Sequence, residues 1–208
     1  MKLLIATRNQ HKLVELRKLF AFPGLTLLAA DDVSGLSEDV VEDADTFEGN
    51  ALKKARELCR ASGLWTMADD SGLEVAALGG APGVLSARYA GESCNYADNN
   101  VKLLRELDGV ADRRARFRCV IALCAPDGRE WAVAGECRGV ILECSRGSGG
   151  FGYDPLFVPD GFDCTFAELD ADTKNRVSHR GEAMRRAAEA WGGMLAEEAL
   201  RQALPARR

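Results

Sequence analysis

Four short segments of this sequence combine residue types that could bind phosphate, a metal ion or a flat ligand. The first joins a predicted strand to a predicted helix and consists of Thr7, Arg8, Asn9, Gln10, His11 and Lys12. A helix N-terminus favours phosphate because it presents unpaired N–H groups and a partial positive charge, and Thr, Asn and Lys side chains add donors. The segment is therefore a candidate phosphate loop, although an ordinary strand–helix turn explains the same residues.

The second segment, Asp69-Asp70-Ser71-Gly72, follows the predicted buried strand Trp65–Ala68. Open α/β sheets bind ligands at the carboxyl ends of their strands. Two adjacent carboxylates at such a place could hold Mg²⁺ and orient a water molecule. A turn in which an aspartate bonds to its own backbone explains the segment equally well.

The third segment, Gly147–Gly152, formally matches the glycine fingerprint of dinucleotide-binding folds. That fingerprint must follow a strand and open a helix, whereas this one lies late in the chain and is followed by Pro155 and Pro159, which do not begin a helix. We therefore reject a dinucleotide fold. The glycines would let the backbone approach a flat ligand closely. Phe151 could stack on that ligand, and Asp154 could accept hydrogen bonds from it. The alternative is a glycine-rich hairpin.

The fourth segment, Lys174–Arg180, is cationic and leads into a helix for which Ser178 is the predicted N-cap. Positive charge at a helix start is electrostatically unfavourable unless an anion or a polar ligand compensates it. The segment therefore points weakly to a binding role.

Composition restricts the chemistry. The formal net charge of −5 argues against a duplex nucleic acid as partner. The number of cysteines, seven, is odd, and the sequence contains no Cys-x-x-Cys motif. Neither a disulfide framework nor a zinc site is therefore expected. With two histidines, any metal must be held by oxygen ligands, which favours magnesium or manganese. The acidic stretch Pro23–Leu52, which lacks Lys and Arg, could supply such oxygens or be a solvated surface.

Membrane insertion and secretion are not expected. No apolar run approaches the ~18 residues of a membrane span. The N-terminal apolar run, Leu3–Ala6, is shorter than the roughly 7–15 residues of a secretory signal. We therefore expect a cytoplasmic protein.

Strands and helices alternate along the chain, which predicts an α/β fold with a mixed central sheet flanked by helices. We expect a single domain over residues 1–208. The predicted strands are Lys2–Ala6, Leu25–Ala29, Trp65–Ala68, Arg116–Ala125, Glu130–Cys137 and a further short strand at Gly139–Cys144. The predicted helices are His11–Phe20, a helix capped by Thr46 that runs to Ser62, Tyr96–Leu107 and a helix from Ser178 to Trp191.

In this order, the segments together are specific. The chain resembles the inosine triphosphate pyrophosphatase family, whose members are also called XTP/dITP diphosphatases or Ham1-like proteins. The resemblance covers nearly the whole chain. The motifs that carry it are Thr7-x-Asn9-x-x-Lys12, Thr46-Phe47-Glu48-x-Asn50-Ala51-x-x-Lys54-Ala55, Ala68-Asp69-Asp70-Ser71-Gly72-Leu73, Gly79-Gly80-Ala81-Pro82-Gly83, Ser86-Ala87-Arg88-Tyr89, Gly149-Gly150-Phe151-Gly152-Tyr153-Asp154-Pro155 and Ser178-His179-Arg180-Gly181.

The resemblance implies two lobes with the active site in the cleft between them, a homodimer, and Mg²⁺ as cofactor. It implies hydrolysis of ITP, dITP and XTP between the α- and β-phosphates, which removes them before incorporation into DNA or RNA. It implies Asp70 as proton acceptor and, with Glu42, as metal position. The other implied contacts are Lys12, Lys54, Lys174 and the Thr7–Lys12 loop for phosphate, Ser71 near the sugar and phosphates, and Phe151, Gly152, Tyr153, Asp154, His179 and Arg180 for the base.

Three other functions are weighed against this one. A related pyrophosphatase could act on modified pyrimidines, which a substrate panel would reveal. A nucleotide sensor without catalysis would bind ITP and Mg²⁺ but not cleave ITP. The net negative charge of the chain disfavours an RNA-binding module.

Overall fold

The described part of the chain forms six strands and five α-helices. The computed structural model describes residues 1–7, 9–19, 24–33, 35–36 and 40–203. The strands are β1 (Lys2–Ile5), β2 (Thr26–Ala29), β3 (Trp65–Val75), β4 (Arg114–Cys124), β5 (Glu130–Ile141) and β6 (Phe157–Pro159). The helices are α1 (Gln10–Leu19), α2 (Phe47–Ser62), α3 (Tyr96–Glu106), α4 (Ala171–Val177) and α5 (His179–Ala203).

The strands form one mixed sheet in the order β2-β1-β3-β4-β5-β6. β1 is parallel to both β2 and β3, with Leu4 opposite Leu28 and Thr66. β5 and β6 are antiparallel. The predicted α/β class with a mixed sheet is therefore confirmed.

Helix α2 begins and ends where the sequence predicts. The Thr46 side chain accepts a hydrogen bond from the backbone N–H of Gly49, which is the N-cap contact expected of threonine. At the other end Gly63 adopts a left-handed conformation with φ 68° and donates its N–H to Cys59 O, as a C-cap glycine does. Both ends of α2 are thus determined by local residues.

The long strand β3 overturns one prediction. Asp69, Asp70 and Ser71 lie inside β3, which runs on to Val75, and not in a loop after a short strand. The neighbouring strand β4 has 11 residues, so it offers ladder partners well beyond Ala68. Side chains of a strand alternate between its faces, so Asp69 and Asp70 are not a chelating pair.

The predicted strand Gly139–Cys144 is also wrong. Residues 139–141 are the end of β5, and the last strand of the sheet is β6, which the sequence did not indicate. Gly139 lies opposite Pro159, and a Cβ on it would be 2.1 Å from Val158 O. Glycine is therefore required inside β5 because β6 approaches closely, and does not mark a break between strands.

The chain divides into two compact units. Unit 1 comprises residues 1–70, 120–134 and 183–208, and unit 2 comprises residues 71–119 and 135–182. In unit 1, the buried side chains of β1 are Leu3, Leu4 and Ile5. In unit 2, the Phe117 ring packs edge-on against Phe157 at 4.8 Å and stacks on Phe166. The prediction of a single domain over residues 1–208 stays a prediction.

Helix α5 has 25 residues, more than the 13 expected for a helix that follows the N-cap Ser178 and ends at Trp191. Ser178 is confirmed as its cap, because its Oγ accepts from Gly181 N and its carbonyl from Glu182 N. No helix in the described ranges has the length and apolar character needed to cross a membrane.

Candidate active site

Asp70 is a buried carboxylate in unit 1, with 5% of its surface exposed. One of its oxygens accepts a hydrogen bond from Asn50 Nδ2 at 3.0 Å. Burial is the main reason that the pKa of Asp70 is raised to about 6, and the negative charge of Glu42 adds to it, while Lys54, Asn50 and Lys12 act in the opposite direction. A carboxylate with this pKa suits proton acceptance near neutral pH better than an ordinary aspartate does.

Two lysines of unit 1 lie against the same acidic residues. Lys54 Nζ is 2.8 Å from Glu42 Oε1 and donates to Asp69 O at 2.5 Å. Burial alone would lower the pKa of Lys54, but the charges of Glu42, Asp69 and Asp70 outweigh it and the pKa is raised. Lys12 Nζ is 3.1 Å from Asp69 Oδ2. Both predicted phosphate lysines of unit 1 therefore lie against acidic groups of the same unit.

Three consecutive residues of the acidic stretch are tied to α2. Glu42 pairs with Lys54, Asp43 pairs with Lys53 at 2.6 Å, and Ala44 N donates to Asn50 Oδ1 at 2.9 Å. These contacts hold Glu42, Asp43 and Ala44 against α2.

The donor set suits a hard cation. Among the residues that the structure describes, no three His, Cys, Asp or Glu side chains are grouped to hold a metal ion. Glu42 and Asp70 are near enough for the charge of one to raise the pKa of the other. Two carboxylates are a typical protein contribution for Mg²⁺, which keeps waters and takes substrate phosphate oxygens for its remaining positions.

The first loop is organised by its own side chains. Thr7 Oγ1 accepts from Asn9 N at 3.2 Å. Asn9 Oδ1 accepts from Lys12 N at 3.2 Å and its carbonyl accepts from Leu13 N, so Asn9 acts as the N-cap of α1. Gln10 is exposed, Arg8 lies outside the described residues, and so does the side chain of His11.

In unit 2 the glycine-rich loop is closed around Asp154. Asp154 Oδ2 accepts from Phe151 N at 2.7 Å and lies 2.7 Å from Lys174 Nζ. Gly150 has φ +69°, and a Cβ on it would be 2.1 Å from that same oxygen. The Lys174 ammonium lies 5.0 Å from the centre of the Phe151 ring. Lys174 therefore groups with the predicted base contacts.

Arg180 and His179 begin α5 and are both buried. Arg180 Nη2 donates to Ser71 Oγ at 3.0 Å, and its guanidinium lies 5.8 Å from the centre of the Phe151 ring. The His179 ring stacks on Phe117 at 4.7 Å. The sequence-predicted residues Ser71, Phe151, Asp154, Lys174 and Arg180 are thus neighbours in unit 2.

Tyr153 has a different environment from its neighbours in the loop. It belongs to the hydrophobic core of unit 2, and its hydroxyl donates to Ser86 O at 3.0 Å. Gly152, with φ +62°, has its carbonyl bonded by Asn100 Nδ2. These contacts hold the loop in shape, so the ring of Tyr153 faces the core.

Asn50 contacts Asp70, although the sequence did not indicate a role for it. A signal was present, because Asn50 and Lys54 lie on the buried face of α2 with Phe47, Ala51 and Ala55. That face of an amphipathic helix is normally apolar. Polar residues on it need buried partners, and here the partners are Asp70, Glu42 and the Asp69 carbonyl.

Comparisons with known proteins identify the family of the chain. The model of the Ham1 family matches residues 3–190. The chain belongs to the Ham1 family. Among its relatives in this family, the dITP/XTP pyrophosphatase of Desulforamulus reducens is 50% identical over 191 residues, which cover 91% of this chain and 94% of the relative. The dITP/XTP pyrophosphatase of Geobacter sulfurreducens is 51% identical and covers 88% of this chain and 92% of its own length.

A solved Ham1 structure has the same fold. The HAM1 protein from Coxiella burnetii superimposes with a TM-score of 0.86 at 37% identity, over 93% of this chain and 99% of that one. The α/β architecture of this Ham1-family chain is therefore shared with a protein of known structure.

Proposed function

We propose that this protein hydrolyses the non-standard purine nucleoside triphosphates ITP, dITP and XTP to the monophosphate and pyrophosphate. The observation that carries the proposal is the buried Asp70 carboxylate, which is hydrogen-bonded to Asn50 and has two lysines beside the neighbouring acidic groups. Membership of the Ham1 family, with relatives named dITP/XTP pyrophosphatases, supports it. The activity would remove these nucleotides before incorporation into DNA or RNA.

Asp70 is the proposed proton acceptor. One water molecule is consumed, the bond between the α- and β-phosphates breaks, and Asp70 takes the proton that the attacking water loses. Glu42 and Asp70 are the residues that would hold Mg²⁺, which when bound supplies positive charge that offsets the charge of the triphosphate. Lys12 and Lys54 bind phosphate oxygens, as does the loop Thr7–Lys12.

The proposed base contacts lie in unit 2. Phe151 offers a ring face for stacking, with Arg180 and Lys174 beside it. Arg180 donates to the 6-oxo group that hypoxanthine and xanthine share. Adenine has a 6-amino donor at this place, so N–H would face N–H, and a buried donor left unpaired costs ~1–3 kcal/mol. Ser71, bonded to Arg180, is proposed to lie near the sugar and phosphates.

The deciding experiment is pyrophosphate release from ITP, dITP, XTP, ATP, GTP and a modified pyrimidine nucleoside triphosphate, with and without Mg²⁺. We expect release from the first three that greatly exceeds release from ATP and GTP and depends on Mg²⁺. Preference for modified pyrimidines would replace this proposal with the related pyrophosphatase, and binding of ITP without cleavage would identify a sensor.

We further propose a cytoplasmic homodimer. The support is family membership and the resemblance stated above. Light scattering after size-exclusion chromatography should give twice the 22.5 kDa mass of one chain. A mass of one chain at micromolar concentration would contradict the dimer.

A further inference from the structure

Asn50 is a buried amide with a partner at each end. It is 1% exposed, its Nδ2 donates to Asp70 Oδ2 at 3.0 Å, and its Oδ1 accepts from Ala44 N at 2.9 Å. Burying an amide without partners is costly. The two hydrogen bonds compensate that cost and determine the orientation of the amide.

The backbone N–H of Ala44 determines the orientation of the Asn50 amide. A side-chain amide has one accepting end and one donating end. Because the backbone N–H of Ala44 can only donate, it holds Oδ1, and the NH₂ group is left to face Asp70. Asn50 thus presents a donor, and not an acceptor, to the carboxylate.

Gly49 allows this contact. A Cβ at Gly49 would lie 2.8 Å from the Cβ of Ala44 and 3.1 Å from Thr46 Oγ1. The absence of a side chain lets the acidic stretch lie close enough for Ala44 N to reach Asn50. Ala44 is two residues from Glu42, so one side chain links the segment that carries Glu42 to the strand that carries Asp70.

We propose that Asn50 is a positioning residue, which holds the Asp70 carboxylate in its working orientation and in register with Glu42. The inference rests on the proposed function, since it acts through the proton acceptor and the metal positions. Residues that orient metal-holding groups typically change metal affinity or activity by ~10–100-fold when they are removed. We expect an effect of that size from the loss of Asn50.

The test compares Asn50→Leu with Asn99→Leu. Asn99 is a matched control, because it is 2% exposed and its amide bonds to backbone groups of Ala90 and Ala87 at 2.7 and 3.1 Å. Asn50→Leu should lower kcat for ITP ~10–100-fold with KM changed by less than ~3-fold. It should also weaken Mn²⁺ binding, measured by calorimetry without nucleotide. Asn99→Leu should lose stability but keep both kcat and Mn²⁺ affinity.

A second variant separates the two bonds of Asn50. Asn50→Asp keeps the acceptor for Ala44 N but replaces the donor to Asp70 with a carboxylate. Its kcat should be as low as that of Asn50→Leu or lower. Wild-type kcat in Asn50→Asp would overturn the proposal, because the contact with Ala44 would then suffice. If leucine prevents folding, as judged by circular dichroism, Asn50→Ser gives the same comparison.

Asp70→Asn, measured in parallel, distinguishes a failure of the proposed mechanism from a failure of the proposed role of Asn50. Turnover that persists in Asp70→Asn would remove Asp70 as proton acceptor and the proposed mechanism with it. An inactive Asp70→Asn beside Asn50 variants of normal kcat and Mn²⁺ affinity would overturn only the role of Asn50.

Discussion

Lys54 Nζ lies 2.8 Å from Glu42 Oε1, so a proposed phosphate ligand is paired with a proposed metal position. Glu42 belongs to the acidic stretch, and Lys54 belongs to α2, against which this part of the stretch lies. The pair keeps Lys54 charged although it is buried, because the attraction of the acidic residues outweighs the cost of burial. The ion pair thus holds the ammonium group of Lys54, a proposed phosphate contact, in place.

Lys54→Met should lower kcat/KM by ~10²-fold for every triphosphate, since one charged donor to the phosphates is lost. The ratio of ITP to ATP use should remain unchanged, because phosphate is common to both. Lys53→Met is the control. Lys53 forms a surface ion pair with Asp43, and such pairs contribute ~0–1 kcal/mol, so its kinetics should be those of the wild type. A changed ITP-to-ATP ratio in Lys54→Met would contradict a phosphate role.

Asp70→Asn should lower kcat at least ~10²-fold, because the proposed proton acceptor is lost. The fold should persist, since Asn50 Nδ2 can donate to the new amide oxygen. Steady-state rates with ITP, together with circular dichroism, check both statements. Near-normal turnover in the folded variant would show that another group accepts the proton.

The same substitution should stabilise the metal-free protein at neutral pH. The pKa of Asp70 is about 6 in the folded state and about 3.9 in the unfolded state. Asp70 therefore stays protonated up to a higher pH in the folded state. The contribution of Asp70 to the free energy of unfolding therefore falls as pH rises from about 4 to about 6. Asp70→Asn should gain roughly 1–3 kcal/mol over wild type above pH 6 and little at pH 4. Urea unfolding in chelator at several pH values tests this, and a pH-independent difference would contradict it.

A chelator should abolish activity, and Mg²⁺ should restore it, whereas zinc alone should not. The reason is that the candidate ligands are carboxylates and that no grouping of Cys or His ligands occurs in the described residues. Thermal unfolding in the chelator should show that the fold is retained. Full activity in excess chelator would exclude a metal-assisted mechanism.

Arg180→Ala should lower kcat/KM for ITP and XTP by ~10–10³-fold, through loss of one charge-assisted hydrogen bond and of positioning. Residual ATP use should fall much less, so the ITP-to-ATP preference shrinks. Arg176→Ala is the control, because Arg176 is exposed on α4 and bonds to Thr173. An unchanged ITP-to-ATP ratio in Arg180→Ala would assign Arg180 to phosphate instead of the base.

Gly150→Ala should disturb the base contacts. Its Cβ would displace the Asp154 carboxylate, which holds Phe151 N and Lys174, and the positive φ adds ~1–2 kcal/mol of strain. Gly161→Ala, at φ +83° with open space around it, carries only the strain. Both variants should lose stability, but only Gly150→Ala should raise KM for ITP. Equal KM values would show that the Gly150 loop does not bind the base.

Local signals in the sequence were sufficient for several elements. The Thr46 cap and the spacing of Phe47, Ala51 and Ala55 predicted α2 at its observed bounds. The turn at Pro126-Asp127-Gly128 correctly joined β4 to β5. These features depend on hydrogen bonds and side-chain periodicity within a few residues, so the sequence alone determines them.

Other features needed the tertiary structure. β3 extends through Asp69 and Asp70 because β4 lies beside it, and Gly139 stays within β5 because β6 approaches it; both partners are distant in sequence. The sequence also indicated a role for Asp70, but not that Asn50 contacts it, since 20 residues separate them. Contacts between distant residues, and the burial that raises the pKa of Asp70, arise only when strands and helices pack, which is why only the folded chain decides them.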